Sequence, residues 1–343
     1  MKMRKVLIIA EAGVNHNGSI ETAKRLVDVA AEAGADYVKF QTFKADKLVT
    51  KNAKKASYQV KNMSGDDNSQ YEMLKKLELT EENHYELKSY CNSKNIKFLS
   101  TGFDNESVNF LDNLGIDIFK VPSGEITNYS YLKNIATKGK PIILSTGMCT
   151  LDEIGDAFNL LITEGVSKDN MTILHCNTEY PTPFEDVNLR AMPIIGSTFD
   201  VQYGYSDHTL GIEVPVAAVA LGAVCIEKHF TLDRSMEGPD HVASLNPAEL
   251  KAMIDSIRNI ELSMSGNGIK EPSKSELENI LIARKSIHIA DDLPKGTVIE
   301  EKHLVAKRPG GGLSPMQTPD IVGKLLTRNM LADEMLNLED FEK

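Results

Sequence analysis

VQYGYSDHT (201–209), EVPVAAVAL (213–221) and AVCIEKHFT (223–231) decide the fold. The outer two runs begin apolar and end polar, as strands do whose ends carry chemistry. The middle run spaces its apolar residues as a helix covering a sheet requires. Strand, helix and strand in this order form a parallel pair with a right-handed crossover. The same texture recurs upstream in VLIIAEAG from Val6, YVKFQTF from Tyr37, KFLSTGF from Lys97, IFKVPSGE from Ile118, PIILSTGM from Pro141 and TILHCNTEY from Thr172. Helical patterns occupy 21–33, 81–93 and 151–164. Eight such strands predict a closed (β/α)8 TIM barrel in the α/β class. A doubly wound open sheet is the competing architecture. It wants a Gly-rich phosphate loop after the first strand, and AGVNHNG (12–18) is not G-x-G-x-x-G.

A barrel takes roughly 250 residues. The chain has 343, so a further piece is required. The segment 247–263 reads as the closing helix, and Gly266-Asn267-Gly268 and Pro272 then break the pattern. From Lys285 onward, short β-like pieces (SIHIA, TVIEE, LVAKR) alternate with turns at LPKG and PGGG. The expected division is a barrel over 1–265, a linker over 266–284 with a helical stretch at 275–283, and a compact domain over 285–343. One insertion, 45–79, follows the second strand. It is long, polar and rich in Lys, Asn and Asp, and on the C-terminal face of a barrel it is expected to be a lid or specificity loop.

Lys and Arg number 38 against 49 Asp and Glu, a net charge of −11. That excess argues against a protein that coats nucleic acid or anionic membrane. It leaves room for an anionic small substrate held by a few local lysines. The cluster Lys51, Lys54 and Lys55 reads as a solvated loop. The four cysteines, Cys91, Cys149, Cys176 and Cys225, form no C-x-x-C pair, which suits reduced thiols. The apolar run 6–10 is cut by Glu11 and fails as a signal-peptide core. No apolar stretch approaches the roughly 20 residues of a membrane span. The expected location is the cytoplasm.

Polar residues gather at the predicted strand ends: Glu11; Lys39 and Gln41; Thr101; Lys120, Ser123 and Glu125; Ser145; Tyr180; Ser206 and His208; Glu227 and His229. A barrel brings those ends to one face. Lys39/Gln41, Ser206/His208 and Glu227/His229 are two apart and so point the same way, while Lys228 and Phe40 should point outward. His208 and His229, on adjacent strands, are candidate ligands for Mn, Fe, Co or Zn with positions left open for substrate. Lys39 and Lys120, with the hydroxyls of Thr101, Ser123 and Ser145, suggest a pocket for phosphate or carboxylate. Taken singly, each has a plainer alternative: a core histidine, a rim lysine, a turn serine. His16, His84, His288 and His303 keep that plainer reading, and His175 and Cys176 are expected in the core.

These strings, in this order, together with GPDH (238–241) and KRPGGG (307–312), resemble the sialic acid synthase (nonulosonate synthase) family. The resemblance spans nearly the whole chain. It implies a (β/α)8 barrel plus a small antifreeze-like (SAF) β-clip domain. It implies condensation of phosphoenolpyruvate with an N-acetylated mannose-type sugar to a nine-carbon 2-keto acid. It places phosphoenolpyruvate on Lys39, Thr101, Lys120, Ser123, Ser145 and Ser206. A divalent metal, Mn²⁺ with Mg²⁺ or Co²⁺ as alternatives, falls on His208 and His229. The sugar and acid–base positions fall on Glu11, Gln41, Glu125, Tyr180 and Asp240. Arg308 of the antifreeze-like domain would reach a partner subunit's site in a domain-swapped homodimer. Two departures stand out: Thr178 replaces a usual Asn, and Gly102 a usual Pro. The expected chemistry is attack of phosphoenolpyruvate carbon 3 on a metal-polarised aldehyde, water addition at carbon 2 with Glu125 handling its proton, and loss of phosphate.

KFQTF and HCNTEYPTP lean to the N,N'-diacetyllegionaminate branch, with 2,4-diacetamido-2,4,6-trideoxymannopyranose as substrate. The alternatives are N-acetylneuraminate synthesis from N-acetylmannosamine, a related barrel acting on a sugar phosphate, and a non-catalytic sugar-binding paralogue.

Overall fold

The computed structural model describes residues 5–63 and 68–342. Eight parallel strands run β1 (Leu7–Gly13), β2 (Tyr37–Thr42), β3 (Lys97–Gly102), β4 (Phe119–Val121), β5 (Ile142–Ser145), β6 (Met171–Cys176), β7 (Gln202–Asp207) and β8 (Cys225–His229). They pair in the order β3-β2-β1-β8-β7-β6-β5-β4, and β3 lies beside β4, so the sheet curls into a nearly closed barrel. This is the (β/α)8 architecture, and the open doubly wound sheet falls away.

Helices α1 (Ile20–Ala33), α5 (Glu81–Ser93), α6 (Asn105–Leu114), α7 (Tyr129–Ala136), α8 (Leu151–Thr163), α9 (Ala191–Phe199), α10 (Glu213–Ala220) and α11 (Pro247–Ser263) alternate with the strands. In α1, Ala23, Leu26, Val27 and Ala30 are buried on one stripe, and the Ser19 hydroxyl accepts from the Thr22 N–H to start the helix. At α11, Asn246 and Glu249 form a reciprocal capping box with Pro247 at the first position. Phe40 and Phe98 stack between the sheet and this layer at 5.9 Å. The lower interior of the barrel is filled by Ile9, Tyr37, Leu99, Ile143, Leu174 and Cys225.

Among its described residues the insertion 45–79 carries helices that its polar composition does not signal. It folds into α2 (Ala45–Leu48), α3 (Ser57–Asn62) and α4 (Gln70–Leu77). Met73, Leu74 and Leu77 of α4 pack on Val14, Phe43 and Ala45 as a separate small core. That burial is what a mobile polar loop lacks, and it explains the helices. Lys51 and Lys54 are exposed, as a solvated stretch requires.

The chain divides into two compact units, the first ending at Gly266 and the second starting at Asn267. The second unit contains α12 (Leu277–Ala283) and an antiparallel pair, β9 (Ser286–Ile289) with β10 (Leu304–Lys307). Its own core gathers Ile287, Ile289, Ile299, Leu313, Leu326, Leu336 and Phe341. Among the described residues no helix is long and apolar enough to cross a membrane.

Candidate active site

Strand register sets the site. Glu11 on β1 lies level with Lys39 on one side and His229 on the other. Gln41 lies level with Thr101, Cys176 with Ser206, and Ser206 with Glu227. These side chains line a cavity of about 480 Å³ at the C-terminal strand ends. Glu11, Lys39, Gln41, Thr101, Lys120, Ser123, Glu125, Ser145, Tyr180, Ser206, His208, His229 and Asp240 all line it, as does Thr178. Arg308 belongs to the second unit, where it is exposed and its Nε donates to the Ala283 carbonyl at 2.9 Å.

The floor is a buried charge cluster. Lys39 Nζ lies 2.8 Å from the Glu11 carboxylate and 3.4 Å from that of Glu227. Lys120 Nζ lies 3.6 Å from Glu227 and donates to Ser145 Oγ at 2.7 Å. Lys39 also donates to Thr101 Oγ1 at 3.0 Å, and Ser206 donates to Glu227 at 2.9 Å. Burial alone would raise the Glu227 carboxyl, but Lys120 and Lys39 overcome it and hold the group down at about 2. Burial pushes Glu11 up to about 7 despite Lys39. Burial lowers Lys120, while Lys39, facing both carboxylates, is raised against the same burial. Two cations and two carboxylates thus balance only while no further anion is present. Uptake of a proton at Glu11 would leave the floor net positive, which an anionic ligand would neutralise.

Above this floor stand two imidazoles with ring centres 5.4 Å apart. Burial keeps both neutral, His208 at about 4 and His229 well below its ordinary value. His208 Nδ1 pairs with the Asn177 carbonyl, so it carries the proton and leaves Nε2 as a free donor atom. His229 Nδ1 is buried without a partner. Gly13, at φ +52° in the β1 bulge, is what opens that spot: a Cβ there would sit 3.4 Å from His229 Nδ1 and 3.2 Å from Glu11 Oε1. Tyr180 stacks on His208 at 4.1 Å and meets His229 edge-on at 5.4 Å.

The remaining wall is polar. Ser123 Oγ accepts from the Gly147 N–H at 2.8 Å and contacts Cys176 Sγ at 3.3 Å. Gly147 permits this approach, since a Cβ would stand 2.9 Å from Ser123 Oγ and 2.6 Å from Thr178. Glu125 accepts from Asn128 at 2.7 Å, and partial burial raises its carboxyl. Burial lifts Asp240 to about 7. Gly102 is extended rather than left-handed, and its missing Cβ lets the Val108 amide approach to 3.1 Å. It therefore serves close packing of β3 against α6.

Residues 26–270 match the NeuB family and residues 284–342 match the SAF domain. The chain belongs to the NeuB family. It is 53% identical to an N,N'-diacetyllegionaminic acid synthase of Campylobacter jejuni, over 97% of this chain and 99% of the relative. It is 50% identical to one of Legionella pneumophila, over 98% and 94%. Among solved structures, an N-acetylneuraminic acid synthetase of Leptospira borgpetersenii in complex with citrate superposes with a TM-score of 0.70 at 35% identity, over 81% of this chain and 90% of that one.

Two pocket residues take places that their sequence did not assign them. Glu227 joins both lysines, and its signal was shared parity with His229. Cys176, expected in the core, lines the cavity instead, because its parity is that of the interior-facing Leu174. His175 is turned the other way and bonds the Val187 carbonyl. Glu179 is exposed at the rim. No group of three or more His, Cys, Asp or Glu gathers as a metal cage among the described residues. The donor chemistry still fits a divalent ion: two neutral imidazoles, one with its tautomer fixed and one with a bare nitrogen, leaving other positions to substrate and water.

Proposed function

We propose that the chain is a phosphoenolpyruvate-dependent synthase that makes N,N'-diacetyllegionaminate from 2,4-diacetamido-2,4,6-trideoxymannopyranose, releasing phosphate. The carrying observation is the pair of buried lysines, Lys39 and Lys120, joined by Glu227 at the barrel mouth beneath two neutral imidazoles. Family membership and the two half-identical relatives support the choice of reaction and sugar.

Lys39 and Lys120 hold the phosphate and carboxylate of phosphoenolpyruvate, with Thr101, Ser123, Ser145 and Ser206 donating to its oxygens. Glu11, Gln41, Tyr180 and Asp240 orient the acceptor so that its carbonyl carbon faces carbon 3 of phosphoenolpyruvate. His208 and His229 would hold a divalent ion, Mn²⁺ by preference, which when bound would supply Lewis-acid polarisation of that carbonyl. The new C–C bond leaves carbon 2 electron-poor. Glu125 takes the proton of the water that adds there, and that proton ends on the oxygen of the former carbonyl. The C–O bond to phosphate then breaks as the carbon 2 hydroxyl gives its proton to the departing phosphate and becomes the ketone.

The functional division follows the chain: 1–265 catalyses, 266–284 tethers, and 285–343 completes a neighbouring site through Arg308 in a homodimer. The apolar Leu277, Leu281 and Ile282, all exposed on α12, support such an association. Four free thiols suit a cytoplasmic enzyme.

The test is phosphate release from phosphoenolpyruvate and Mn²⁺ with each candidate sugar supplied separately. Release with the diacetamido trideoxy sugar is expected. No release with any acceptor overturns the proposal.

A further inference from the structure

The cavity has two chemically different parts. Its charged groups, among them Lys39, Lys120, Glu227 and Asp240, all come from barrel strand ends and the loops that follow them. The other part is supplied by the insertion, chiefly through the apolar or aromatic Leu48, Val49, Tyr58, Met73 and Leu74, with the amides of Gln59 and Gln70 beside them. Among the described residues no charged side chain of the insertion lines the cavity, although the segment carries Lys47, Lys51, Lys54, Lys61, Lys75 and Lys76. Among its described residues this lysine-rich element keeps its charges out of the cavity and lines it with uncharged side chains.

This wall is fixed to the catalytic groups. Tyr58 stacks on Tyr180 at 5.0 Å, and Tyr180 in turn stacks on His208. Asn62 Nδ2 donates to the Pro239 carbonyl at 2.8 Å and to the Tyr180 carbonyl at 3.4 Å, tying α3 to the loops after β6 and β8. Met73 and Leu74 are anchored below by the small core of the insertion.

We propose that the insertion wall, with Tyr58, Met73 and Leu74 at its face, is the element that selects the acceptor, taking a 6-deoxy, N-acylated sugar over one with a hydroxymethyl or phosphate group. The inference rests on the reaction proposed above. Leu48, Val49, Met73 and Leu74 gain from contact with a methyl group, Gln59 and Gln70 give the wall its hydrogen-bonding amides, and the described part of the wall has no cation for a phosphate. Discrimination by such a surface is bounded at roughly 10–100-fold for one small group.

The test uses the full chain with phosphoenolpyruvate and Mn²⁺. kcat/KM is measured for 2,4-diacetamido-2,4,6-trideoxymannopyranose, N-acetylmannosamine and N-acetylmannosamine 6-phosphate. Wild type should prefer the deoxy sugar by roughly 10-fold or more. Tyr58→Ala and Leu48→Asn, both at half-buried positions, should shrink that preference at least several-fold. They should do so by raising KM for the deoxy sugar, with KM for phosphoenolpyruvate unchanged, and Tyr58→Phe should retain the preference. Turnover with the preference unaltered in both variants overturns the selecting role while the reaction stands. Loss of activity toward all acceptors in proportion also overturns it. No turnover by wild type with any acceptor overturns the reaction and the inference together.

Discussion

Lys228 and Asp207 form an ion pair with no solvent exposure on the outer side of β7 and β8, directly behind the two imidazoles. Lys228 also donates to the Thr209 carbonyl, and Asp207 accepts from the Thr209 N–H and hydroxyl. The backbone on either side of His208 is thereby bound to that of β8. Sequence alternation sends Lys228 outward, and the structure gives it a partner there. Removing one member leaves a buried charge uncompensated. Lys228→Met should cost about 3–5 kcal/mol in denaturant unfolding at neutral pH, and adding Asp207→Leu should restore much of it. A loss below about 1 kcal/mol would contradict the pairing.

The lysines of the floor should be separable from the fold. Lys120→Met removes the donor to Ser145 and one neighbour of Glu227. Phosphate release should fall roughly 100-fold or more, with KM for phosphoenolpyruvate rising. Lys39→Met should act alike. If either variant keeps wild-type kcat/KM for phosphoenolpyruvate, the anion-holding role is wrong.

Glu125→Gln keeps shape and the Asn128 contact but cannot take a proton. kcat should drop roughly 100-fold, and the acidic limb of the pH–rate profile should flatten. Unchanged turnover would remove Glu125 from the chemistry.

Three histidines outside the cavity floor make an acid-stability prediction. Burial lowers His16 to about 4 and His241 to about 4, and it lowers His84 also. Their neutral rings are used: His84 bridges the Thr42 hydroxyl and the Thr80 carbonyl, His241 pairs with Thr231, and His16 Nδ1 accepts from Gly18. In the unfolded chain they protonate near 6.5. Between those values the unfolded state binds more protons, so stability is full above about 6.5 and falls as pH drops toward about 4. Fully buried His16 alone would contribute on the order of 3 kcal/mol to that loss. Urea midpoints across this range should decline steadily, and His16→Gln should lessen the slope. A flat profile would refute the neutral-ring assignment.

Chelation should abolish phosphate release and Mn²⁺ should restore it. Manganese binding, followed by the electron spin resonance of the free ion, should weaken in His208→Ala and His229→Ala. Arg308→Ala should raise KM for the sugar. Unaltered sugar kinetics would show that the loop at 307–312 does not reach an active site.

The barrel was legible because each strand run ends in polar residues, and parity assigned the inward partners of Lys39, Ser206 and His229. Parity also held the signal for Cys176, but a neutral thiol looks like core until its neighbours in space are known. Glu227 had no distinctive spelling of its role, since its two lysines lie far away in sequence. The helices of the insertion escaped for a different reason. A four- to eight-residue helix spans barely two turns, too short for a periodic stripe, and Met73, Leu74 and Leu77 gain meaning only against Val14 and Phe43.

The hydrophobic filling of the lower barrel, from Ile9 to Cys225, has a kinetic consequence. It makes the cavity a blind-ended well. Whatever settles on Lys39 and Lys120 must pass the level of Tyr58 and Tyr180 before a second molecule occupies that level. For an anion that settles on Lys39 and Lys120, that depth would set an order, the bottom ligand entering before the upper one and what is released there leaving after it.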